Sequence, residues 1–329
     1  MSIRVALGQL RDLDDETAAF GRQLGLKGIQ YNTPNIEDSG GYWSVSALEG
    51  LKKSSNEQGF HLEAIENVPL SFYADIMNGG PRSDEQLELM AKTIKNIGAA
   101  GIGALGYHFM PTSVWRTSQD DRGRGGAIVT GFDLQDVPRG QVNYPRIPID
   151  VPLSHDNLWS HYEIYLNALL PVAESSGVRL ALHPDDPPLT KLGVSARLFD
   201  SVDSFKKAEK MSGQSPAWSL DLCIGSVSEM PGGAESVTQM IDWFGPSGKI
   251  AYCHFRQVVG TIPAFEECFL GEGNFDPVDV MSQLHRVGFD GFLLDDHVPG
   301  ISGDTEWGHR SRAYAIGYLH ALVRAVTGT

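Results

Sequence analysis

Cysteine is scarce in this chain, with three residues (Cys223, Cys253 and Cys268) among 329. So small and odd a number cannot build a disulfide framework, and the expected setting is a reducing cytoplasm. Long apolar runs are missing as well. No stretch reaches the about 18 consecutive apolar residues of a membrane helix. The opening Met1-Ser2-Ile3-Arg4-Val5 lacks the charged-then-apolar pattern of a leader and reads as a first strand. Positive charge is in deficit, 26 Lys and Arg against 41 Asp and Glu, leaving a net charge of −15. That balance argues against nucleic acid or an anionic membrane as a partner. A small anionic substrate stays compatible with it, because local arginines can reverse the field inside a pocket. No Gly-rich dinucleotide fingerprint follows the first apolar stretch, which counts against a doubly wound nucleotide-binding sheet.

What is present is regular. Hydrophobic residues make up 41% and charged residues 20%, enough to bury a sizeable core. Strand-like runs at 3–7, 29–32, 61–67, 104–109, 178–184, 218–223, 249–256 and 291–297 alternate with helical spacing. Gly59 stops one helix, Ser83 with Gln86 suggests a capping box, and Asp276-Pro277 opens another helix. Pro171 predicts a kink or break in a helix over 157–176. Strict β/α alternation implies a parallel sheet with right-handed crossovers. Eight repeats predict a closed (β/α)8 TIM barrel, one domain over 1–329. Periodicity fails from Met110 to about Pro152, so a long loop after strand four is expected, placed as a lid or binding loop.

In such a barrel the C-terminal strand ends face one pocket. Strands five to eight end in Leu182-His183-Pro184, Leu222-Cys223, Cys253-His254-Phe255-Arg256 and Leu294-Asp295-Asp296-His297. His183, Cys223, His254 and Asp296 would therefore share a rim, and together they can ligate a divalent metal. Cysteine favours zinc, whereas an open site with His and carboxylate also suits manganese or iron(II). Arg256, two residues past His254, is expected to point to the same side and suits a grip on a substrate carboxylate, the alternative being a salt bridge to Asp295 or Asp296. Glu66 and Asn67 end strand three, Tyr107 and His108 end strand four, and Trp115, Arg116, Arg122 and Arg124 lie in the long loop as further substrate contacts. Asp185-Asp186 either adds ligands or shapes a turn.

The stretches Ala181-Leu182-His183-Pro184-Asp185-Asp186-Pro187-Pro188, Cys253-His254-Phe255-Arg256-Gln257-Val258 and Asp296-His297-Val298-Pro299 resemble those of the mannonate dehydratase family. Glu63-Ala64-Ile65-Glu66-Asn67 and Cys223-Ile224-Gly225 with Glu229-Met230-Pro231 do so too. That family sits among the xylose-isomerase-like TIM barrels. The resemblance implies dehydration of D-mannonate to 2-keto-3-deoxy-D-gluconate with a divalent metal, usually Mn2+, with Fe2+ or Zn2+ as alternatives. It implies His183, Cys223, His254 and Asp296 as metal ligands, His297 as the catalytic histidine and Arg256 as the substrate-facing arginine. An isomerase, epimerase or eliminase on the same scaffold is the alternative. Two departures stand out. Asp295 replaces a proline common in the family and is expected to add a carboxylate beside the metal. The segment 303–310 carries no tyrosine, so Tyr314, or else Trp307 or His309, would take the place of the family's tyrosine. Barrels of this type often form homo-oligomers through their outer helices.

Overall fold

Eight strands close into one parallel barrel in the computed structural model, which describes residues 3–139 and 152–328. The first half comprises β1 (Arg4–Leu10), α1 (Asp15–Gln23), β2 (Gly28–Asn32), α2 (Val45–Glu57), β3 (His61–Glu66), α3 (Ala74–Asn78), α4 (Ser83–Ala99) and β4 (Ala104–Tyr107). Next come β5 (Ser118–Arg122), β6 (Ile128–Asp133), α5 (His155–Ser176), β7 (Arg179–Leu182), β8 (Lys191–Leu192), β9 (Ser195–Ala196) and α6 (Val202–Met211). The remainder is β10 (Trp218–Cys223), α7 (Ile224–Ser228), α8 (Ala234–Phe244), β11 (Ile250–His254), β12 (Gln257–Thr261), β13 (Ala264–Cys268), α9 (Pro277–Arg286), β14 (Phe292–Leu294) and α10 (His309–Thr327). The barrel runs β1-β14-β11-β10-β7-β4-β3-β2, as strict alternation predicts.

The strands read as unbroken apolar runs because both faces are covered. One face packs outward against the helices in a large core that includes Leu105, Tyr107, Leu180, Leu182, Leu220 and Leu293. The other fills the barrel, where Ala6, Ala64, Ala104 and Ala181 leave room for Tyr252, Phe292 and Leu294. Tyr252 and Phe292 stack with ring centroids 4.8 Å apart, a contact worth about 0.5–1.5 kcal/mol beyond its buried area. Gly106 is required beside them, since a Cβ there would collide with the Tyr252 hydroxyl.

Several local expectations change. Ser83 does not cap α4; Gln86 instead accepts from the backbone of Asp75 and Ile76 and donates to Ser71 O. Helix α5 runs unbroken through Pro171, which removes one backbone donor. The ends of α5 are secured by Ser154, accepting from Asn157 N, and by left-handed Gly177.

The segment after β4 is not wholly irregular. Strands β5 and β6 join β12 and β13 in a four-stranded antiparallel sheet, order β12-β13-β6-β5, with Phe265 paired to Phe132. This sheet roofs the C-terminal end of the barrel over a small core of Phe132, Leu189, Leu192, Val258 and Phe265. Residues 140–151 of the expected loop lie outside the described residues.

Candidate metal centre and active site

Strand register levels the functional side chains. Cys223 lies opposite His254, and His254 opposite Leu294. Asp296, two residues beyond Leu294, therefore returns to the inner face, while His183 follows the end of β7 directly. The ligand atoms of His183, Cys223 and His254 all lie within 4.8 Å of one another. Asp296 Oδ2 is 3.7 Å from Cys223 Sγ and 3.9 Å from His254 Nδ1. A second group shares His254, whose Nε2 is 3.2 Å from Glu66 Oε2 and 3.5 Å from Asp221 Oδ1. All six residues are buried.

The electrostatics call for a cation. Burial would raise the Cys223 thiol, but Arg256, His183 and His254 outweigh it and pull it down to about 5, leaving a thiolate. Burial pushes Asp221 up to about 8, opposed by His254. Burial also acts upward on Glu66 and Asp296, yet the neighbouring imidazoles hold both below the usual carboxylate range. His183 is lifted to about 10 because Cys223 and Asp221 overcome its desolvation. Both His254 ring nitrogens are buried without a hydrogen-bond partner. Orphaned imidazole nitrogens beside a thiolate and carboxylates form a donor set that a divalent metal satisfies, in place of protons on the histidines.

Above this group lies a network of buried ions. Arg256 donates from Nε to Asp296 Oδ2 at 2.8 Å and from Nη2 to Asp186 Oδ2 at 2.9 Å. Its Nη1 lies 2.9 Å from Glu229 Oε1. Gly225 permits this, because a Cβ there would run into the Arg256 side chain. Burial and Asp186 raise the Glu229 carboxyl, against the pull of Arg256 and Arg116. Arg116, 1% exposed, donates from Nη2 to Asp186 Oδ2 and to Glu267 Oε1, both at 2.9 Å. Glu267 Oε1 in turn lies 2.5 Å from His297 Nδ1. His297 Nε2 is 3.7 Å from Asp296 Oδ1, on the side of the ligand group. Burial would depress this imidazole, but Asp296 and Glu267 raise it.

The sequence profile described as D-mannonate dehydratase (UxuA) matches residues 14–144 and 149–329. The chain belongs to the D-mannonate dehydratase family. It is 28% identical to "Mannonate dehydratase 2" of Halalkalibacterium halodurans over 92% of this chain and 93% of that protein. It is likewise 28% identical to "Mannonate dehydratase" of Geobacillus thermodenitrificans, over 94% of this chain and 91% of the relative. The solved structure of mannonate dehydratase from Streptococcus suis serotype 2 superposes with a TM-score of 0.87 at 26% identity, covering 100% of this chain and 96% of that one. An L-ribulose 3-epimerase, at 15% identity and TM-score 0.60, shares the barrel fold.

In this member of the dehydratase family a cavity of about 500 Å3 opens above the ligand group. Glu66, Asn67, His183, His254, Asp296 and His297 line it. Other expected contacts are elsewhere. Tyr107 is in phase with outward-facing Leu105, and its hydroxyl bonds Tyr162 at 2.9 Å; His108 takes the place at the wall. Trp115 packs against the small core beneath the roof. Trp307 lines a neighbouring cavity of about 280 Å3, which also borders His297, and its Nε1 donates to Gln9 O at 3.2 Å. Arg256 is 2% exposed and enclosed by carboxylates, so its guanidinium is not offered to the cavity.

Asp295 faces away from the metal group. In phase with Leu293, it meets Arg312 Nη1 of α10 at 2.8 Å and thus ties the last helix to the barrel. Asp185 Oδ2 accepts from Leu198 N and Phe199 N, whereas Asp186 pairs with Arg116 and Arg256, and neither belongs to the ligand groups found among the described residues. Arg124 pairs with Glu272 outside the cavity. Tyr314 donates to Leu270 O, and His309 bonds Thr305. Asp221, Glu267 and Arg11 were not singled out by sequence reasoning, and Glu229 entered only as part of a motif, with no role given. Asp221 carried a signal, standing two residues before Cys223 on one strand and so on its face.

Proposed function

We propose that this protein dehydrates D-mannonate to 2-keto-3-deoxy-D-gluconate, acting as a hydro-lyase with Mn2+ held by His183, Cys223, His254 and Asp296. The observation that carries this reading is the convergence of those ligand atoms on the floor of a cavity that also exposes His297. When bound, the metal supplies Lewis acidity toward the substrate carboxylate and neighbouring hydroxyl, where enediolate charge develops.

The reaction removes the proton from the carbon α to the carboxylate and the hydroxyl from the next carbon, which together leave as water. His297 moves a proton at Nε2, since Nδ1 is engaged by Glu267. Arg256 orients Asp296 and holds Cys223 as thiolate. It acts on the ligand shell instead of on the substrate. Arg11 is the only lysine or arginine among the described residues lining the cavity. Its Nε donates to Thr33 O, leaving the rest of the guanidinium for an anionic sugar acid. Glu66 and Asn67 offer acceptors and donors to substrate hydroxyls. The thiolate ligand suits a reducing, cytoplasmic setting.

The test is to incubate Mn2+-loaded protein with a panel of aldonic acids and assay for a 2-keto-3-deoxy product. Turnover of D-mannonate is expected; no product from any member of the panel would sink the reading.

A further inference from the structure

We infer that Glu267, delivered by the roof sheet and held by Arg116, is the positioning residue for His297. The inference rests on the reading that His297 transfers a proton. Two groups approach His297 Nδ1: Glu267 Oε1 at 2.5 Å and Arg116 Nη2 at 3.5 Å. A guanidinium offers donors alone, so the Nδ1 proton goes to Glu267. This fixes the tautomer and leaves Nε2, on the side of Asp296 and the cavity, as the atom that exchanges protons with substrate.

Glu267 is itself immobilised. It stands on β13, whose neighbour Glu266 pairs with Gly131 of β6. Arg116 joins it to Asp186, a residue that also anchors Arg256. The chain thus locks the orientation of His297 to that of Asp296 through one continuous set of buried ion pairs. A carboxylate behind a catalytic imidazole contributes in the same way in hydrolase triads, by orientation and by stabilising the charged ring.

The experiment compares Glu267→Ala, Glu267→Gln and His297→Gln in Mn2+-loaded protein, with kcat, KM, metal content and rescue by added formate as readouts. The Ala variant is expected to lose about 10²- to 10³-fold in kcat with KM within about threefold. Metal content should stay stoichiometric. Formate should restore part of kcat, because Glu267, Arg116 and His297 all border the 280 Å3 cavity through which a small carboxylate can reach the vacated position. The isosteric Gln variant, which preserves packing should the Ala variant not fold, is expected to lose about 10²-fold or more in kcat, because its amide can hold the wrong tautomer of His297. Wild-type kcat in either folded variant overturns the inference. So does a loss of activity that tracks loss of metal and resists formate, since a merely structural role predicts it. His297→Gln separates the two levels: if it stays active, the proton-transfer reading fails, whereas an inactive His297→Gln beside a fully active Glu267→Ala removes Glu267 alone.

Discussion

The strand ends and the roof sheet build the same site by opposite means. His183, Cys223, His254 and Asp296 take their places from the register of parallel strands, which hydrogen bonding levels across the barrel. Arg116 and Glu267 come from excursions after β4 and β11, and only antiparallel pairing between those excursions brings them together. The first region fixes what is bound, and the second fixes how a neighbouring group is aimed. A rigid frame can hold ligands through short side chains, whereas aiming a histidine takes a second wall.

Breaking the frame should cost most. Cys223→Ala or His254→Ala is expected to abolish stoichiometric metal and reduce kcat/KM by about 10³-fold or more, several kcal/mol of charge stabilisation. Elemental analysis alongside steady-state kinetics measures this, and a variant that keeps its metal would show the ligand set to be wrong. Next is the junction of the two regions. Arg256→Met leaves Asp186, Glu229 and Asp296 without their shared cation, and about 3–5 kcal/mol of folding stability should be lost in urea titration.

Asp295→Asn sharpens the contrast between adjacent residues. It should lower stability by about 1–3 kcal/mol through the freed Arg312 while metal content stays unchanged. Metal loss in that variant would return Asp295 to the ligand shell. Tyr107→Phe should cost under about 1.5 kcal/mol and leave KM untouched, because it deletes one hydroxyl contact in the helix layer. The smallest effect concerns His108, which burial, helped by His183 and Arg197 and opposed by Glu66, holds down to about 3. A depressed folded value means that its contribution to stability is present above the ordinary 6.5 and is lost as pH falls toward 3. Its ring signals in NMR of Zn2+-loaded protein should therefore stay flat from pH 8 to 5.

The frame was legible in the sequence because its signals are local. Apolar runs ending in His, Cys or Asp mark strand tips, and β/α alternation converts eight of them into neighbours. The parity of each strand was harder to read. Tyr107 and Asp295 were placed at the site although alternation turns both outward, as in-phase Leu105 and Leu293 show. The small residues Ala104 and Gly106, in phase with His108, marked the inward face. The roof left no periodic trace. Strands β5 and β6 are five and six residues long, β5 is entirely polar, and β13, the partner of β6, lies more than 100 residues later. Glu267 in a sequence looks like any acid on a hairpin, and only the pairing of Ala264 with Asp133 and Phe265 with Phe132 brings it over His297. Arg256 was found by its motif and its pairing with Asp296 was one of the readings open to it, but Asp186 and Glu229 come from two other loops and could not be read from spacing.

The stacked Tyr252 and Phe292, wedged among alanines beneath the ligand group, have a consequence for traffic. They plug the barrel from below, so the ligand group opens toward the roof side, into the 500 Å3 cavity. Among the described residues, the cavity above the ligand group is also the space a substrate occupies. Bound sugar acid should act as a stopper, slowing chelator stripping in proportion to its occupancy.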